Sequence, residues 1–127
     1  MLPTQAVKKI SSRHRAEPME IWKARKFIEE YSGEDLSLTK VAKAVNMSAN
    51  HLSEKFRQVT SVNFVDYVAR ARFEKACERL LSSNRRISEI AFAVGFQSLS
   101  QFNRVFRKLA GKSPTEYRDK ILSKKKR

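Results

Sequence analysis

Leu38-Thr39-Lys40-Val41-Ala42-Lys43-Ala44-Val45-Asn46-Met47 returns 49 positions later as Ile87-Ser88-Glu89-Ile90-Ala91-Phe92-Ala93-Val94-Gly95-Phe96, and this repeat decides the fold. One inserted residue, Gln97, moves the register to 50. Thereafter Leu52, Phe56, Arg57, Val59, Asn63, Asp66 and Tyr67 match Phe102, Phe106, Arg107, Leu109, Ser113, Glu116 and Tyr117. Each copy reads as a short helix, a tight turn and a second helix. Ala42 and Ala91 are small where two helices must cross closely. Asn46 and Gly95, four residues on, are residue types that tolerate positive φ. Met47 and Phe96 then supply an apolar plug, and Ser48 and Ser98 can cap the following helix. One such match is weak, because many buried helix pairs carry Ala and Gly at this spacing. Two matched copies identify a duplicated helix-turn-helix unit.

On the second helix of the first copy, Leu52, Phe56 and Val59 form a core stripe at i, i+4 and i+7. At about 100° per residue, Asn50, Ser53, Glu54, Arg57 and Gln58 fall opposite. In the second copy Phe102, Phe106 and Leu109 face inward, which leaves Ser100, Asn103, Arg104 and Arg107 outside. Such outward residues suit base edges: Arg can donate twice to guanine, Asn can pair with adenine, and Glu can accept from cytosine N4. Asn50, Ser53, Glu54, Ser100, Asn103 and Arg104 are therefore the candidate base readers, with Arg104 the strongest. The competing reading for each is a solvated helix face, and Glu54 could instead pair with a nearby Lys or repel phosphate. Ser48, Lys55, Arg57, Ser98, Arg107, Lys108 and Lys112 are the candidate phosphate contacts, which position a protein without reading sequence. His51 reads as structural or phosphate-facing, and Leu99 as a domain-edge residue or a thymine methyl contact.

Outside the repeat, residues 1–17 mix Lys8, Lys9, Arg13, His14 and Arg15 with few large apolar residues and read as a lead-in or linker remnant. Pro18, followed by Ile21, Ala24, Ile28 and Tyr31, predicts an amphipathic helix over 18–32 that Gly33 stops. Between the copies, Asn63 can cap a helix running through Phe64, Val68, Phe73, Ala76 and Leu80 to about Leu81. Its length, roughly 28 Å at about 1.5 Å per residue, is close to the spacing of about 34 Å between successive major grooves on one face of DNA. The terminal Lys124-Lys125-Lys126-Arg127 run reads as a basic tail. With three Gly, three Pro and no sustained alternation of β-branched residues, strands are not expected.

At 127 residues there is room for one domain, and 27 Lys and Arg against 13 Asp and Glu leave a net charge of +14. That excess calls for a polyanionic partner, and the duplicated turn favours nucleic acid over a membrane surface. The lone Cys77 sits outside any Cys/His cluster, so neither a disulfide framework nor a zinc site can be built. No catalytic constellation, metal site or cofactor motif is present, and no enzyme activity is expected. The chain shows neither a transmembrane span nor a secretory leader, which implies the cytoplasm.

These residues resemble the AraC/XylS family of bacterial transcription regulators over about 18–118. The likeness rests on Asp35-Leu36-Ser37-Leu38, Val41-Ala42, Ser48, His51-Leu52, Phe56, Arg72-Phe73, Ala76 and Leu80-Leu81. It is closer in Ile87-Ser88-Glu89-Ile90-Ala91, Val94-Gly95-Phe96, Ser98, Phe102, Arg104, Phe106-Arg107, Gly111, Ser113-Pro114 and Tyr117-Arg118. The resemblance implies an all-α fold of about seven helices: a first unit over about 18–62, a linker helix over 63–81, a second unit over 82–118 and a basic tail over 119–127. It also implies two major-groove contacts with double-stranded DNA, with Asn50, Ser53, Glu54, Ser100, Asn103 and Arg104 at the base-contacting positions. Activation through RNA polymerase, and residence in the bacterial cytoplasm with nucleoid association when bound, follow from the same likeness. Asn46 and Ser61 depart from the family pattern, standing where glycine is usual or where the second copy has Gly111. Such domains usually sit at the C-terminus of longer chains, so an effector-sensing domain is expected to be missing here. Two rivals belong to other classes. A basic RNA-binding or ribosome-associated structural protein would share the charge but does not need the duplicated turn. A repair module using Cys77 as methyl acceptor would need a Pro-Cys-His type environment that is absent.

Overall fold

The computed structural model describes residues 17–125, and among these there are seven helices and no strand. They are α1 (Met19–Tyr31), α2 (Leu38–Ala44), α3 (Ala49–Thr60), α4 (Phe64–Ser82), α5 (Ile87–Ala93), α6 (Leu99–Ala110) and α7 (Pro114–Lys125). The expected lead-in falls outside the described residues except for Glu17. Packing divides the chain within α4, into a first unit ending at Ala71 and a second starting at Arg72. The expected linker helix is therefore shared between two cores.

In the first unit α1 turns Ile21, Ala24 and Ile28 inward, onto Val41 and Ala42 of α2, Leu52 and Phe56 of α3, and Phe64, Tyr67 and Val68 of α4. Phe56 is the hub, edge-on to Phe64 at 6.0 Å and to Tyr67 at 5.0 Å between ring centroids. Fully burying a side chain of this size contributes about 1.5–3 kcal/mol, so the stripe at 52, 56 and 59 holds α3 firmly against its neighbours. Tyr31, expected on the buried face of α1, is exposed instead and lies against Phe27 at 4.7 Å. It is the last residue of the helix, one position before the Ser32 cap, and lies beyond the stretch that packs on the core. Glu17 is a second correction. Its carboxylate accepts from Arg25 Nε at 2.8 Å and Nη2 at 2.9 Å, and both side chains are almost wholly buried. Glu17 belongs to the packed unit because a buried guanidinium without a partner would be strongly destabilising. Its hydrogen bonds outweigh the desolvation of Arg25 and hold that group further toward its charged form.

The second unit is built on aromatic rings. Phe106 packs against Phe73 at 4.9 Å, Phe102 at 5.5 Å and Tyr117 at 5.4 Å, and Phe102 continues to Phe96 at 5.1 Å. Ala76, Leu80, Ile90, Ala91 and Val94 fill the space between them. Two caps keep the copies parallel in design. Asn63 Oδ1 accepts from Asp66 N at 2.8 Å at the start of α4, as expected. Ser113 and Glu116 close a full capping box at the start of α7, with Glu116 N donating to Ser113 Oγ at 3.1 Å and Ser113 N to Glu116 Oε1 at 3.0 Å. From there α7 continues to Lys125, so the segment drawn as a tail from 119 is helical through that residue.

Candidate nucleic-acid interface

Both elbows close with the same backbone device. After α2, Met47 N donates to Ala42 O at 2.8 Å and Asn46 N to Lys43 O at 3.2 Å; after α5, Phe96 N donates to Ala91 O at 3.0 Å and Gly95 N to Phe92 O at 3.1 Å. This is a Schellman closure, and it needs a left-handed residue between the two bonds. Asn46 takes φ 62° and Gly95 φ 109°. Ala42 and Ala91 are buried at the crossings, Phe96 is buried in the second core, and Met47 packs against the first.

The first helix of each helix-turn-helix, α2 or α5, is capped by opposite halves of one motif. Ser37 Oγ accepts from Lys40 N at 3.0 Å ahead of α2, whereas ahead of α5 the Glu89 carboxylate reaches back to Arg86 N at 3.0 Å. The matching positions thus satisfy different orphan donors with different side chains.

α3 and α6 are both 12 residues long and start identically. Ser48 Oγ accepts from His51 N at 3.1 Å, and Ser98 Oγ from Gln101 N at 3.0 Å. The expected capping roles hold. As acceptors in the caps, both hydroxyls keep a hydrogen to donate outward. The helices also end alike: Ser61 N donates to Arg57 O and Gly111 N to Arg107 O, each at 2.9 Å, with Ser61 at φ 63° and Gly111 at φ 77°.

Six candidate base readers are exposed: Asn50, Ser53 and Glu54 on α3, and Ser100, Asn103 and Arg104 on α6. Within each helix they share the face opposite the buried Leu52 and Phe56, or Phe102 and Phe106. Arg57, Arg107 and Lys108 are exposed beside them, while Lys55 and Lys112 are half-buried. Among the described residues none of Arg57, Arg104, Arg107 and Lys108 is held in an ion pair within 4.0 Å, and Glu54 pairs with no Lys. These side chains face solvent with hydrogen-bonding capacity unspent. Glu116 lies in the field of Arg107 and Lys112. Its carboxyl stays below the ordinary range, chiefly because the Ser113 backbone N–H and hydroxyl bond to it.

Sequence reasoning passed over Lys43, which is exposed on α2 and lines a shallow hollow at the first elbow with Thr39, Ser48 and Ala49. Its position immediately before the turn was the available signal. The second copy has Phe92 there, 52% exposed. His51 is exposed as well. Cys77 is half-buried among Phe106 and its neighbours, and burial pushes its thiol up to about 11, in contrast to an activated nucleophile. Among the described residues no cluster of His, Cys, Asp or Glu could hold a metal, and no helix is long and apolar enough to cross a membrane.

A helix-turn-helix domain family model matches residues 41–120. The uncharacterized HTH-type transcriptional regulator YijO of Escherichia coli is 35% identical over 94 residues, covering 74% of this chain and 33% of its own length. Among solved structures, the C-terminal domain of AraT, a response regulator from Geobacillus stearothermophilus, superposes with a TM-score of 0.78. It is 34% identical, over 82% of this chain and 87% of that domain. A Chromobacterium violaceum transcriptional regulator described as containing an AraC-type DNA-binding domain gives a TM-score of 0.74 at 26% identity, over 79% of this chain and 89% of its own. The chain spans about a third or less of the length of the curated relatives it matches.

Proposed function

Because the chain belongs to the AraC-type helix-turn-helix family of DNA-binding domains, we propose that it binds double-stranded DNA sequence-specifically and regulates transcription, each unit placing its second helix in a major groove. The observation that carries this reading is the pair of matched outward faces on α3 and α6. Each stands behind the same elbow closure, and each is polar and exposed where Leu52 and Phe56, or Phe102 and Phe106, are buried on the other side. Asn50, Ser53, Glu54, Ser100, Asn103 and Arg104 read base edges. Lys55, Arg57, Arg107, Lys108 and Lys112, with the hydroxyls of Ser48 and Ser98, hold phosphates and set the register. Lys43 joins them at the first elbow.

The greater length of the relatives supports a further domain in the intact protein; we propose that this domain senses an effector, and that the protein acts in the bacterial cytoplasm and activates by touching RNA polymerase beside the promoter. A basic RNA-associated structural protein would account for the charge of +14 but has no use for two identical elbows.

Fluorescence anisotropy with duplex DNA and structured RNA at matched salt tests the proposal. Tighter binding to the duplex, with two half-motifs emerging from random-site selection, is the expected result; preference for RNA would overturn it.

A further inference from the structure

We propose that Glu54 makes the first unit select cytosine at the position where Arg104 makes the second unit select guanine. The inference rests on the reading of α3 and α6 as groove-facing helices. Those two helices have the same length and the same kinds of cap. Glu54 and Arg104 are each the sixth residue of a 12-residue helix begun by a capping serine and closed by a left-handed residue. Each stands opposite two fully buried residues, Leu52 and Phe56 in one case, Phe102 and Phe106 in the other. Each side chain therefore leaves its own unit at the same place, and what differs is the sign of its charge.

That inversion exchanges donor for acceptor. The Arg104 fork offers two donors, which match guanine O6 and N7. The Glu54 carboxylate can only accept, and the major-groove amino donors are cytosine N4 and adenine N6. Adenine places its N7 acceptor beside N6, where it opposes a carboxylate; cytosine does not. Cytosine is thus the favoured partner. Glu54 is exposed, and among the described residues no ion pair within 4.0 Å neutralises it. A carboxylate left in this state on a chain of charge +14 repels phosphate whenever no amino group is in front of it. The wrong sequence is then penalised as well as the right one rewarded.

Random-duplex selection and sequencing with the whole chain, Glu54→Arg and Glu54→Gln tests this. The wild type should enrich cytosine at one position of the first half-motif by about tenfold or more. Glu54→Arg should replace that cytosine with guanine and leave every other position unchanged. Glu54→Gln should move it toward adenine, the bidentate partner of glutamine. Both variants should melt like the wild type, because the side chain is exposed. Unchanged base preferences, with uniformly tighter binding by Glu54→Arg, would overturn the proposal and leave Glu54 as a phosphate repellent. Failure of the wild type to enrich any sequence would overturn both this proposal and the reading on which it rests.

Discussion

Arg118 Nε donates to the Leu80 carbonyl at 2.8 Å, tying α7 to the last turn of α4 across 38 residues of sequence. The same guanidinium donates to Arg85 O at 2.8 Å and Ser83 O at 3.0 Å. One side chain thereby satisfies carbonyls that a helix end leaves without intrahelical donors, and brings positive charge to the negative end of the helix dipole. It also fixes the chain between α4 and α5, on which the placement of the second helix-turn-helix depends.

Replacing Arg118 by Ala should destabilise the second unit by about 2–4 kcal/mol, since hydrogen bonds to charged groups each contribute about 1.5–3 kcal/mol and are not additive. Arg118→Lys should recover little, because an ammonium lacks the planar fork that spans three carbonyls. Amide exchange of second-unit residues during urea titration separates this loss from any change in the first unit. A variant with exchange protection equal to wild type would show that the clamp contributes nothing.

Ser61 and Gly111 hold the same left-handed position, at φ 63° and 77°, and only the glycine does so without opposition from a Cβ. Ser61→Gly should stabilise the first unit by about 0.5–1 kcal/mol, the relief of strain being partly offset by the entropy of glycine in the unfolded chain. Gly111→Ala should cost about 1 kcal/mol through the backbone alone, for a Cβ there would meet nothing within 4 Å. Urea midpoints measure both, and a less stable Ser61→Gly protein would refute the account.

Much of this was legible in the chain because it is periodic. Leu52 with Phe56, and Phe102 with Phe106, announce buried faces by spacing, and the Ala42 to Met47 and Ala91 to Phe96 stretches announce elbows by residue type. The base-facing sets follow by subtraction. What lacked a period stayed hidden. Glu17 lies just ahead of the periodic stretch and meets Arg25 from outside it, so no pattern before Pro18 marked it as packed. Arg118 acts on backbone carbonyls, which no side-chain pattern records. Tyr31 looked like a fourth core residue because helical spacing continues past the point where the core itself ends. The extension of α7 to Lys125 was obscured by its charge, which reads the same on a helix as on a tail.

Cys77 should behave as a packing residue with a pH signature. Burial pushes its thiol up to about 11 and raises the Tyr117 phenol beside it as well. A raised folded-state value means that the folded chain keeps its proton where the unfolded chain has lost it. The stabilisation is complete below about pH 9 and disappears as pH rises through about 11. Melting temperature should therefore fall more steeply between pH 8 and 11 for the wild type than for Cys77→Ala. Iodoacetamide at pH 8 should label the native thiol far more slowly than the urea-unfolded one. Rapid native labelling would place the thiol in solvent.

Arg104 and Arg107 lie three residues apart on α6, both exposed, and should nevertheless fail in different ways when removed. A bidentate base contact discriminates between sequences, so Arg104→Ala should weaken the selected site by about 1–3 kcal/mol and relax the preference at one position, with random DNA much less affected. A phosphate contact is blind to sequence. Arg107→Ala should weaken specific and random duplexes alike and lower the slope of log affinity against log salt by about 1. Anisotropy titrations of both variants on both duplexes across a salt series distinguish the two roles. If Arg104→Ala loses the same factor on random DNA, Arg104 holds a phosphate, and the base-reading assignment on α6 has to move to Ser100 and Asn103.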